Sequence, residues 1–121
     1  MEYDLEELAV WFHGHHQPYI ALGIRMGEKA MEMHEAKRHE MSIVSETGFK
    51  PTYSCMTDGL QLSTGSTIGN GRLRVLESAK LAATFSKGDR HLRIEVRDFK
   101  FDMEYIEKAQ DDELFSWNWE K

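Results

Sequence analysis

The chain has a single cysteine, two prolines, no block of consecutive basic residues and no long apolar run. Each scarcity excludes something. One thiol, Cys55, cannot close an intrachain disulfide or supply the paired corners of a zinc ribbon. A net charge of −6 without a basic block argues against nucleic acid, whose binding takes clustered lysine and arginine to displace counterions. No stretch approaches the roughly 18 consecutive apolar residues that a membrane span requires. The opening Met-Glu-Tyr-Asp-Leu-Glu-Glu is acidic, unlike a secretory leader, so a cytoplasmic protein is expected. There is no repeat, low-complexity tract or linker. At 121 residues, 40% hydrophobic and 30% charged, the chain reads as one domain over residues 1–121.

What is present is histidine, concentrated. Half of the six histidines lie in Phe12-His13-Gly14-His15-His16-Gln17-Pro18. Imidazoles this close repel when protonated, so the cluster points to a metal ion, a bound anion or proton transfer. Pro18 opens a helical pattern, which places the histidines in the turn feeding a helix N-terminus.

The remaining elements follow from periodicity. Leu5, Leu8, Ala9 and Phe12 predict a helix over 3–12 with Asp4 as N-cap. From Pro18, the residues Ile20, Gly23, Ile24, Gly27, Ala30, Met31 and His34 share one helical face. Gly23 and Gly27 each cost about 1 kcal/mol against alanine, which suggests that another backbone comes close there. Residues 41–47 read as a strand ending at Gly48, and 54–62 as a short helix capped near Thr52 or Ser54 and closed by Gly65. Residues 73–76, 82–86 and 92–96 read as a three-stranded meander, with Asn70-Gly71 and Gly88-Asp89 as turns. A helix over 103–109 follows, then Trp117 and Trp119, which either anchor a neighbouring subunit or cover this chain's own core. The order predicts an α+β fold, helices packed on a mixed or antiparallel β-sheet.

With the motifs placed, the chain resembles the FmdE family, that of the E subunit of formylmethanofuran dehydrogenase. Members carry His-Gly-His-x-Cys-Pro and then Ala-Leu-Gly-x-Arg-Met-Gly; here these are 13–18 and 21–27. A second block, Cys-x-x-Asp-Gly-x-Gln-x-x-Thr-Gly-Cys-Thr-x-Gly-Lys-Gly, corresponds to 55–71. A third, Gly-Lys-x-Ala-x-Thr-Phe, corresponds to 79–85. The resemblance implies an α+β domain that dimerises and holds a metal through histidines and cysteines. Among the departures from the pattern, Gln17 and Ser66 stand where members have cysteine, and Asn70 where they have lysine. The C-terminal zinc ribbon of some relatives is missing. A sulfur-rich site is thereby disfavoured, and a mixed His/Cys site remains.

His13 and His15, two apart in a tight turn, can aim both rings at one point, with nitrogen about 2.0–2.1 Å from a zinc-like ion. Cys55 is either a small buried hydrophobe or the third ligand, its pKa lowered at a helix start. His16 is an auxiliary or solvent-facing residue, and His34, His39 and His91 have no constellation around them. The correspondence marks Gln17, Asp58, Gln61, Ser66 and Lys80 as residues of an adjoining cofactor or small-molecule pocket. For Asp58 and Gln61, helix capping and support for a ligating histidine are both open. Thr64 to Gly71 reads as a hairpin turn, although its N–H groups could cradle an anion. Lys80 lies in a strand pattern. Met26, Met31 and Met33 read as core and dimer packing, and Arg25 and Glu28 as solvated.

The expectation is therefore a homodimeric accessory or ligand-binding protein holding a divalent transition metal, zinc, through His13, His15 and Cys55. The alternatives are a small metal-dependent hydrolase or lyase, and an interaction module whose metal site has decayed.

Overall fold

The structure is a computed structural model that describes residues 4–14, 17–97 and 102–120, without the side chains of Glu6, Phe12 and His13. Helix α1 (Leu5–His13) starts where expected: Asp4 Oδ1 accepts from Glu7 N at 3.4 Å. Helix α2 (Pro18–His34) begins on Pro18, whose missing N–H costs nothing at a first-turn position. The third helix, α3 (Ser54–Thr64), ends at Gly65, whose φ of +73° is the left-handed closure that glycine permits. Its N-cap is Tyr53, which gives no side-chain cap, so neither Thr52 nor Ser54 plays that part.

Helices α2 and α3 cross backbone on backbone. A Cβ placed on Gly23 would strike the Met56 carbonyl and lie 2.9 Å from Gly59 Cα, and one on Gly59 would strike the Ile20 carbonyl. Gly27 makes room in the same way for the Ser63 side chain. The glycines therefore do what their spacing suggested, with Gly59 as the unforeseen partner.

The sheet has five strands: β1 (Ser42–Ser45), β2 (Leu73–Val75), β3 (Ala82–Lys87), β4 (Arg90–Val96) and β5 (Phe115–Glu120). Their order is β2-β1-β3-β4-β5, with β1 and β2 parallel and the other neighbours antiparallel. The class is α+β, as read from the sequence. The meander is not: β1 inserts between β2 and β3. Only Gly88-Asp89 forms a hairpin turn, bounded by the Lys87–Arg90 pair. Asn70-Gly71 instead sits in the loop that brings β2 alongside β1.

Along the strands, Ile43, Ala83, Phe85, Leu92 and Ile94 alternate inward and are buried beneath Leu22, Met26 and Ala30 of α2. Met31 and Met33 pack against the same core. Helix α4 (Met103–Lys108) stops before a further turn, α5 (Asp111–Leu114), which feeds β5. Trp117 and Trp119 lie on β5 and cover this chain's own sheet; Lys29 Nζ stands 5.0 Å from the Trp117 ring. Arg25 is not solvated. Its guanidinium donates to the carbonyls of Ile106 at 2.7 Å and Ala109 at 2.8 Å and pairs with Asp111 at 2.6 Å, fastening α2 to the C-terminal elements.

Candidate functional site

Gln17 is the first residue of the histidine-rich segment that the structure describes after Gly14. Its backbone is extended, and its Oε1 accepts from Tyr19 N at 2.7 Å, capping α2. The same side chain stands beside the Cys55 thiol and favours its ionised form. Residues that a long stretch of sequence separates, one entering α2 and one in the first turn of α3, are thus in contact beside the glycine crossing.

Cys55 does not have the lowered pKa expected of a helix start. Burial pushes the thiol up and the nearby Asp58 carboxylate adds to this, against the Gln17 side chain and the helix backbone. With the side chain 9% exposed, desolvation wins. The His13 side chain, His15 and His16 lie outside the described residues. Among the described residues no three His, Cys, Asp or Glu side chains group to hold a metal ion. A thiol and an already bonded amide are fewer donors than the four that zinc takes, so those residues alone do not make a site for it.

Cys55 opens on a cavity of about 210 Å³ that Phe49, Pro51, Thr57, Asp58, Gln61 and Ile68 also line. Asp58 and Gln61 do face each other one turn apart, at 3.3 Å. Gln61 Oε1 also accepts from Ile68 N at 3.1 Å, bracing the loop that forms the far wall. Phe49 and Ile68 are exposed and give this mouth an apolar rim.

Three buried hydroxyls back the cavity, and the sequence reading missed them. Thr57 Oγ1 lies 2.9 Å from Ser45 Oγ and 2.8 Å from Thr47 Oγ1, and Thr47 Oγ1 donates to the Gly48 carbonyl at 2.9 Å. A chain from Thr57 through Ser45 and Thr47 to that carbonyl uses every hydroxyl hydrogen, so the group is satisfied without a charge. The signal was available: Ser45 and Thr47 are two apart, hence on the inward face of a strand that otherwise buries Ile43.

The other pocket candidates fall elsewhere. Ser66 is buried and its Oγ donates to the Met41 carbonyl, joining the α3–β2 loop to the start of β1. Lys80 precedes β3 instead of lying within a strand, and it lines a separate cavity. The loop over 64–71 is no anion cradle, because Asn70 fills it: its Oδ1 accepts from Thr67 N at 2.9 Å and Arg72 N at 3.1 Å, and its Nδ2 donates to the Gly65 carbonyl. Nor is that loop a hairpin turn. His39 Nδ1 bonds the Gly65 carbonyl at 2.9 Å, and His91 Nδ1 meets Ser86 Oγ at 2.6 Å.

An α+β domain whose helix crossing brings a glutamine cap against a lone thiol beside a small cavity defines the class. Over residues 12–120 the chain matches the family described as FmdE, molybdenum formylmethanofuran dehydrogenase operon, and it belongs to that family. A solved structure of a tungsten formylmethanofuran dehydrogenase FmdE-like protein from Syntrophus aciditrophicus shares the fold, with a TM-score of 0.69 and 20% identity. That similarity covers 99% of this chain and 73% of the other. A stretch of 75 residues is 41% identical to a probable S-adenosyl-L-methionine-binding protein of Archaeoglobus fulgidus. It makes up 60% of this chain and 20% of that protein, so the chain spans about a fifth of the curated relative it matches. No helix among the described residues is long and apolar enough to cross a membrane.

Proposed function

We propose that this chain is a metal-binding accessory domain related to the E subunit of formylmethanofuran dehydrogenase, with a small-molecule pocket beside the metal. The ligands are His13, His15 and Cys55, and the ion is zinc-like. The observation that supports the reading is the place of Gln17, the residue that follows the histidines in sequence, beside the Cys55 thiol in the first turn of α3. Burial keeps the metal-free thiol protonated, so binding the ion has to drive off that proton. Three protein ligands leave a fourth position for water or substrate. The cavity of about 210 Å³ next to Cys55 gives a small molecule room there and favours a ligand site over a decayed interaction module. S-adenosylmethionine, named for the Archaeoglobus relative, is the first small molecule to try. The homodimer and the cytoplasmic setting belong to the same proposal.

Elemental analysis of protein purified without added metal tests it. The expected result is about one zinc per chain, lost in His15→Ala and in Cys55→Ser. Metal-free protein, or uptake unchanged in both variants, sinks the reading.

A further inference from the structure

Two cations at the end of β4 have no acidic partner among the described residues. The Lys80 ammonium makes no ion pair or hydrogen bond there, and Arg97 donates only its Nε, to the Phe115 carbonyl at 3.1 Å. Lys29, Lys87, Arg93 and Lys108, by contrast, each stand within 4.0 Å of a carboxylate. Lys80 and Arg97 line the same cavity, of about 260 Å³, together with Tyr53, Leu81 and Glu95. Glu95 is turned toward Arg93 at 3.5 Å, and Arg93 is itself held by Glu46 through two bonds, of 2.9 and 3.1 Å. The carboxylate that lines the cavity is therefore paired elsewhere.

The backbone under the cavity is strained in a particular way. Ala79 has a φ of +52°, the left-handed region that a residue with a Cβ enters at a cost. Leu76 N bonds the Ser45 carbonyl at 2.8 Å before the turn and Lys80 N bonds the Glu46 carbonyl at 2.9 Å after it, so both sides of the turn are fixed. Backbone strain held in place by its surroundings is characteristic of ligand sites, and here it sets Lys80 on the cavity wall.

We propose that Lys80 and Arg97 bind the carboxylate or phosphate group of a small ligand in this cavity. The guanidinium supplies a planar fork of N–H donors and the ammonium a compact charge, the pair that an oxyanion takes. A neighbouring cavity of about 200 Å³ shares Ala79 with this one and shares Gly48 and Phe49 with the cavity at Cys55. A ligand lying along all three would set its anionic end at Lys80 and its other end at the thiol. That extension rests on the metal-site reading above; the anion site does not.

The test uses metal-free protein titrated at low ionic strength with inorganic phosphate and, separately, with succinate, following the backbone amides of Lys80, Leu81 and Arg97 by NMR. Saturable shifts are expected with at least one of the two anions. The affinity should fall about tenfold in Lys80→Gln and again in Arg97→Gln, and stay unchanged in Lys37→Gln, whose exposed lysine lines none of these cavities. Saturation with neither anion, equal weakening in Lys37→Gln, or full affinity in both cavity variants overturns the proposal. Zinc uptake by the Lys80→Gln variant stays at the level of the parent chain, so loss of the metal site and loss of the anion site are separate results.

Discussion

Cys55 and His34 are both buried, titratable and placed at helix ends, yet the molecule treats them in opposite ways. His34 is sealed. Its Nε2–H donates to the Phe85 carbonyl at 2.8 Å, and the Trp119 ring meets it edge-on at 5.0 Å. Arg90 lies over that same tryptophan, 4.2 Å from the ring centroid. Among the described residues the imidazole Nδ1 has no hydrogen-bond partner, and none of the cavities above reaches it. Cys55 opens on a void lined by a carboxylate, an amide and hydroxyls. Burial alone therefore does not mark a site. A buried group that no cavity reaches is structure, and one left facing space is available for chemistry.

Four experiments break or sharpen this contrast, and the largest effect comes from the side that opens. Gly59→Ala drives a methyl into the Ile20 carbonyl and should cost about 3 kcal/mol, seen as a lower thermal midpoint, with Cys55 more accessible to thiol reagents and His34 unaffected. A midpoint unchanged within error means that the two helices do not touch as described. Trp119→Ala acts on the sealed side. It removes an edge-on ring contact and should cost about 1 kcal/mol while the His34 pKa rises toward the ordinary value, which NMR titration reads directly.

Gln17→Ala removes a helix cap and a polar neighbour of the Cys55 thiol at once. It should cost about 1 kcal/mol, and in metal-free protein it should slow alkylation of Cys55, because the amide it removes favours the thiolate. Faster alkylation at the same stability would mean that Gln17 merely shields the sulfur. The smallest effect is a pH slope. Burial holds the folded-state pKa of His34 below its ordinary 6.5, opposed by the Phe85 hydrogen bond, with the charges of Arg90, Lys87 and His91 adding to the lowering. The unfolded chain then takes up the proton first. The stability from this group is whole above pH 6.5 and is lost as pH falls toward the folded value. Chemical denaturation from about pH 7.5 down to about pH 5 should show that loss, and His34→Gln should flatten it.

The sequence was most informative where one residue settles the local geometry. Pro18 marked the first turn of α2, Gly65 the end of α3, and Gly88-Asp89 the β3–β4 hairpin, because φ restriction and φ freedom act at the residue itself. The glycine pair on α2 announced a close approach, although nothing on α2 could name Gly59 as the other side. What failed was decided at a distance. The parallel pairing of β2 with β1 depends on where a loop lands, so Asn70-Gly71 read as a turn while Asn70 was in fact spending its side chain on that loop. Arg25 read as solvated because its partners, Ile106, Ala109 and Asp111, lie far along the chain. The thiol of Cys55 was judged from the helix that carries it, and packing from other elements reversed the sign. The candidate site was legible as residue types and order; its cavity, its buried hydroxyls and the separate place of Lys80 were not.

The helix crossing has one more consequence. Gly59 lies a single turn beyond Cys55, and Gly23 less than two turns beyond Gln17. The absent side chains at that crossing work like the pivot of a pair of tweezers: whatever thickness they had would be passed to the tips, which carry the sulfur on one arm and the Gln17 amide on the other. The gap between the tips is thus set by atoms that touch neither tip, and a family member could widen or narrow it by changing a residue at the pivot.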